Sequence, residues 1–215
     1  MFEIIKTGGW LMVPIVLCSI AAVAIVLERF WSLQKKRVAP PNLVAKIWQL
    51  DQNKQLNDEV IQDIYESSSL GRILATGLKS RTKSREIMRE NIEEAGRYVS
   101  FELRHFLTTL GTIAAISPLL GLLGTVVGMI QVFTVITSVG VGDPGELAGG
   151  ISTALITTAA GITVAIPSIF FVRFLRRKIE GLVVEMEAEA IKLVELMRVQ
   201  ETNVPGSKAR RTQVS

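Results

Sequence analysis

The sequence contains one cysteine and one histidine in 215 residues. Cys18 lies inside an apolar run, so no disulfide framework exists and the residue reads as a small buried hydrophobe. With no cluster of Cys and His, no zinc site is expected, and no cofactor is called for. His105 stands where a charged helix meets an apolar run. No second His or carboxylate brackets it at helical spacing within the span, so it reads as an interfacial or capping residue rather than a proton shuttle. A nucleophile with a base, a phosphate-cradling loop and a metal constellation are all missing, which argues against an enzyme. The largest absence is charge: Phe106 to Val172 holds no Lys, Arg or His, and its only acids are Asp143 and Glu146.

What fills that space is apolar. Hydrophobic residues make up 48% of the chain and cluster into runs, which places it in the membrane class. The net charge of +4 is modest. Lys and Arg gather beside the runs as cytoplasmic flanks do, so nucleic acid is a poor explanation for the basic balance. The fold expected is all-α: an integral membrane protein with three transmembrane helices, the second and third extended into the cytoplasm, and a small helical cytoplasmic region.

Residues 1–9 form a short, nearly neutral start on the periplasmic side. A first span covers 10–30, with Trp10 and Trp31 as interfacial anchors. It ends in Glu28-Arg29 and Lys35-Lys36-Arg37 rather than at a small-residue cleavage site, so it is expected to be retained. Residues 31–105 form the cytoplasmic helical region. Ala39-Pro40-Pro41 breaks the chain first, and short amphipathic pieces follow, separated near Asp51 to Asn57 and Ser67 to Ser69. From Arg85 an amphipathic stripe through Met88, Ile92, Val99 and Leu103 feeds straight into the second span, 106–141. At about 36 residues, or roughly 54 Å, this stretch exceeds a hydrocarbon core of about 30 Å and must tilt, kink or project. A periplasmic turn, 142–146, leads to the third span, 147–172. Arg173, Arg176, Arg177 and Lys178 stop that span inside. A cytoplasmic helix, 173–201, and a disordered tail, 202–215, close the chain.

The second and third spans are rich in hydroxyls and small residues. Gly124 and Gly128 form a GxxxG pair, joined by Gly121. Ala154, Thr158, Gly161, Ala165 and Ser168 make a stripe at four-three spacing, the signature of close helix packing in lipid. Pro118 and Pro167 are expected to kink their helices. Gathered about a bundle axis, the same hydroxyls would line a narrow wettable path. The residues alone leave both readings open, a tightly packed bundle or a water-accessible one.

The stretch Ser117-Pro-Leu-Leu-Gly-Leu-Leu-Gly-Thr-Val-Val-Gly-Met-Ile-Gln-Val-Phe133, with Gly150-Ile-Ser-Thr-Ala-Leu-Ile-Thr-Thr-Ala-Ala-Gly-Ile-Thr-Val-Ala-Ile-Pro167, strongly resembles the ExbB/TolQ/MotA family of proton-channel subunits, its ExbB branch most closely. The resemblance covers most of the chain. It implies a multi-pass protein of the bacterial inner membrane, amino terminus periplasmic and carboxyl terminus cytoplasmic, assembled as a homo-oligomeric ring, usually a pentamer. The ring would surround an ExbD-like single-span partner and use the proton-motive force to energise a TonB-like protein and transport across the outer membrane. A TolQ-like subunit of the Tol-Pal envelope system and a non-conducting membrane scaffold are the alternatives. The family's pore-facing threonines fall on Thr125 and Thr158, with Ser152, Thr153 and Thr157 as weaker candidates. Where ExbB and TolQ sequences carry Glu in the third-span motif, this chain has Thr153. The proton-carrying carboxylate is therefore expected on the partner helix.

Overall fold

The structure is a computed structural model that describes residues 8–140 and 144–203, the side chains of Val139, Glu146 and residues 198–203 excepted. Most of the expected start 1–9, the first two residues of the expected turn 142–146 and most of the tail 202–215 lie outside these residues.

Every regular element among the described residues is a helix. We number them α1 (Met12–Ser32), α2 (Lys35–Val38), α3 (Leu43–Gln52), α4 (Asp58–Ser67), α5 (Ser69–Lys79), α6 (Arg85–Val139) and α7 (Pro144–Asn203). Three of them, α1, α6 and α7, are long and apolar enough to cross a membrane. The last two run for 55 and 60 residues without a break.

One reading of local structure changes here and another is refined. The third span and the helix after it, divided at residue 173 in the sequence, are one helix, α7, which agrees with the expected extension of the third span. Arg and Lys are good helix formers, so the basic cluster ends the apolar stretch and not the helix. Pro144, expected in a turn, instead opens α7, at a helix start where a missing N–H costs nothing. The short helix α2, beside the Pro40-Pro41 break, has no counterpart in the sequence reading.

The chain divides into two compact units. One comprises the residues up to Phe30 together with His105–Arg176. Its core joins Ala22 of α1 to Leu110 and Ile113 of α6, with Val164, Phe171 and Val172 of α7 packed against them. At one end the Phe30 ring meets Phe171 edge-on, with centroids 5.9 Å apart, and stacks on Phe174. Arg29 is only 6% exposed. It keeps its charge paired with Glu28, and its guanidinium lies 4.7 Å from the Phe106 ring centre. The outer faces of this unit are apolar and open: Val13, Leu17 and Ile20 on α1, Leu119, Val126 and Phe133 on α6, Leu155, Ile166 and Phe170 on α7. So much exposed hydrocarbon on all three helices is stable against acyl chains and not against water. The protein is a multi-pass membrane protein.

The other unit comprises Trp31–Arg104 and the described residues from Arg177 onward. Its buried residues include Ile73, Leu74 and Leu78 of α5, Ile92 of α6 and Ile179 and Met186 of α7, and Gly77 of α5 lies close against Ile92 of α6 and Val194 of α7. Asn57 caps α4 by accepting from the Val60 N–H at 2.8 Å, and Ser68 caps α5 by accepting from the Gly71 N–H at 3.1 Å. In this unit α6 and α7 run antiparallel and are laced by ion pairs, Arg104 with Glu180 at 2.9 Å and Arg85 with Glu195 at 2.6 Å. Between them Glu187 lies directly over Gly96, in the space a Cβ would fill. Burial pushes the Glu187 carboxyl above the usual glutamate value; Glu93 adds to the shift and Arg97 opposes it. Lys35 is held above its usual value by its hydrogen bond to Glu185.

Candidate functional site

Within the apolar unit α6 and α7 meet along a seam of glycines and small side chains. A Cβ on Gly121 would stand 3.0 Å from the Thr157 carbonyl oxygen and the Thr158 Cα, and one on Gly128 would stand 2.8 Å from the Gly150 carbonyl oxygen. One on Gly161 would stand 3.2 Å from the Gly121 Cα and would also strike the Ser117 carbonyl. Ala154 is buried among these contacts and Ala165 is buried one turn beyond them. Backbones this close gain dispersion contact that lipid tails cannot match, which is how small residues hold helices together in a bilayer.

The hydroxyls of the seam are placed by the same geometry. Thr157 is fully buried, fills the notch above Gly124, and donates to the carbonyls of Thr153 at 3.0 Å and Ala154 at 2.9 Å on its own helix. Thr158, one residue on, is half-buried and donates across the seam to the Gly121 carbonyl at 2.9 Å. Thr125 is also half-buried and donates to the Leu122 carbonyl at 2.6 Å. Ser152 and Thr153 are half-buried near the start of α7, with Thr153 donating to the Gly149 carbonyl at 3.0 Å. Ser117 and Ser168 are buried and each donates to a carbonyl one turn back, at 2.7 Å. Pro118 and Pro167 lie inside α6 and α7, where each leaves one carbonyl without its helical donor.

Two features of the seam escaped the sequence reading. Gly150 packs against Gly128, although it sits four residues before Ala154 and extends the same stripe, so the signal was present. The burial of Ser117 carried no such mark, because a serine in an apolar helix looks the same on either face, whereas Ser168 was marked by its place in the stripe.

In chemical terms the helix pair offers hydroxyls and carbonyls, and among the described side chains from Phe106 to Val172 no ionisable group. Hydroxyls can orient water or hold a carboxylate by hydrogen bonds. They cannot take up a proton as a stable charge.

The profile of the MotA/TolQ/ExbB proton channel family matches residues 65–188, a stretch that includes the whole seam. The chain belongs to that family. It is 34% identical over 171 residues to the ExbB-like biopolymer transport protein 1 of Synechocystis sp., covering 78% of this chain and 67% of that one. The biopolymer transport protein ExbB of Aquifex aeolicus is 35% identical over 115 residues, 54% of this chain and 77% of its own length. The biopolymer transport protein exbB1 of Vibrio cholerae is 30% identical over 162 residues, 73% of this chain and 70% of its own. As a member of the MotA/TolQ/ExbB family the chain is a proton-channel and biopolymer-transport component rather than a member of an enzyme class.

Proposed function

We propose that this chain is the ring-forming subunit of an ExbB-like proton channel of the inner membrane, with spans at 10–30, 106–141 and 147–172 and its amino terminus in the periplasm. Copies of the chain, five in the usual form of the family, surround a single-span, ExbD-like partner. Thr125 and Thr158, with Ser152 and Thr153 nearby and Thr157 bracing the seam behind them, line the path. The partner supplies a membrane carboxylate, and the hydroxyls hydrogen-bond that group or its water as it gains and loses a proton. Each proton descending the membrane potential releases about 2.3 kcal/mol per 100 mV, and the resulting motion is passed to a TonB-like protein for transport across the outer membrane.

The observation that carries this reading is the combination of a hydroxyl-rich helix pair with no ionisable group among its described side chains from Phe106 to Val172. An intramembrane proton path needs a group that titrates, so this subunit requires another protein to complete it. The test is proton flux into liposomes, comparing the chain alone with the chain purified together with its single-span partner. Flux from the chain alone equal to that of the complex would overturn the proposal.

A further inference from the structure

The polar unit exposes two helix faces that match one another better than they match water. On α6, Phe101 is 72% exposed and Tyr98 57% exposed. Glu90 and Glu94 share that face by helical spacing and have no ion-pair partner among the described residues. On α7 the open face carries Gly181, Val184, Glu185, Ala188 and Lys192. A Cβ on Gly181 would meet nothing within 4 Å, Ala188 is exposed, and Lys192 is exposed with no ion-pair partner among the described residues. Arg97 shares the first face by the same spacing, and Glu185, which is paired with Lys35, shares the second, so acid is in excess on the first face and Lys192 is the unpaired charge of the second.

Their registers also agree. The contacts of Arg104 with Glu180, of Gly96 with Glu187 and of Arg85 with Glu195 fix which residues of the antiparallel pair share a height. By that alignment Phe101 stands level with Gly181, Glu94 with Ala188 and Glu90 with Lys192. A cyclic ring whose axis runs along these helices carries each residue round at its own height, so a neighbour presents the matching group to each one. The face of α6 against its own copy would instead set Glu90 and Glu94 against like charges. Two different patches meeting head to tail are the kind of contact that closes into a ring.

We propose that the outward face of α6 seats on the outward face of α7 in the next copy of this chain, with Phe101 entering the space over Gly181 and Glu90 pairing with Lys192. The inference rests on the ring reading above and adds the surface outside the membrane that sets its register.

The test uses two full-length chains with different tags, both carrying Cys18→Ala, one with Phe101→Cys and the other with Gly181→Cys, co-expressed in membranes and oxidised. A disulfide-linked dimer bearing both tags, absent when either chain is expressed alone, is the expected result. Glu94→Cys with Ala188→Cys repeats the measurement without removing Phe101. Glu90→Lys or Lys192→Glu alone should lower the yield and the pair together restore it. Rings that persist by native mass spectrometry without either cross-link overturn this interface and leave the ring reading standing; a chain that runs as a monomer removes both. Capture of a different protein by the cysteine at 101, or a double swap no better than either single change, also overturns the inference.

Discussion

The hydroxyl of Thr158 donates to the carbonyl of Gly121, 2.9 Å away on the facing helix. The bond exists because Gly121 has no side chain: a Cβ there would press on the Thr158 Cα at 3.0 Å. Packing and polarity in this seam are therefore one arrangement.

Thr158→Val keeps the shape and removes that bond. Interhelical hydrogen bonds in membranes average about 0.6 kcal/mol, so assembly should survive with a small loss of thermal stability. Proton flux of the complex in liposomes should fall sharply. Unchanged flux with unchanged assembly would point to a scaffold.

Gly128→Leu tests the seam as a structure. Its side chain would have to enter space where the Gly150 carbonyl oxygen and the Ala154 Cβ stand within 2.9 Å of an added Cβ. Overpacking of this kind costs about 1–3 kcal/mol and more where backbone must move. The variant should unfold at lower temperature in detergent and lose its partner on copurification, whereas Gly111→Ala, where an added Cβ meets nothing within 4 Å, should do neither.

Thr153→Ala should leave proton flux of the complex close to the unsubstituted level. If the titrating carboxylate comes from the partner, position 153 in this chain does not carry the proton. Loss of flux with intact assembly would give Thr153 a direct part in the path.

Glu187 supplies a pH dependence of stability. Its carboxyl is pushed above the ordinary value of 4.5, first by burial and then by Glu93, so the folded state holds the proton more tightly than the unfolded chain does. For such a group stability is greatest below the unfolded value and is lost as pH rises through the folded one. Glu187→Gln should raise the unfolding temperature at neutral pH and flatten its dependence above pH 4.5. An unfolding temperature that falls on substitution would mean that the contact with Arg97 outweighs burial.

Much of this architecture could be read from the chain because lipid enforces strict rules. A run such as Trp10 to Leu27 has few alternatives, and the Gly124, Gly128 and Ala154, Gly161, Ala165 stripes point to the helix pair that the structure brings into contact. What escaped the sequence was settled by three-dimensional neighbours. No pattern along α6 marks Gly96 as the seat of Glu187, and nothing near Thr157 and Thr158 says that one fills a notch while the other reaches across. Helix ends were also hard to place, since the basic cluster at Arg173 changes the solvent without changing the backbone.

The two prolines have a mechanical meaning. Pro118 and Pro167 each delete one rung from their helix, on facing helices, and by the pairing of Gly161 with Ser117 both lie on the same side of the Thr158 contact. These are the points of greatest compliance, so a push arriving at the seam would be spent as bending there before it strained any glycine contact. A stiffer chain, with alanine at either site, would deliver the same push undiminished to the far ends of both helices.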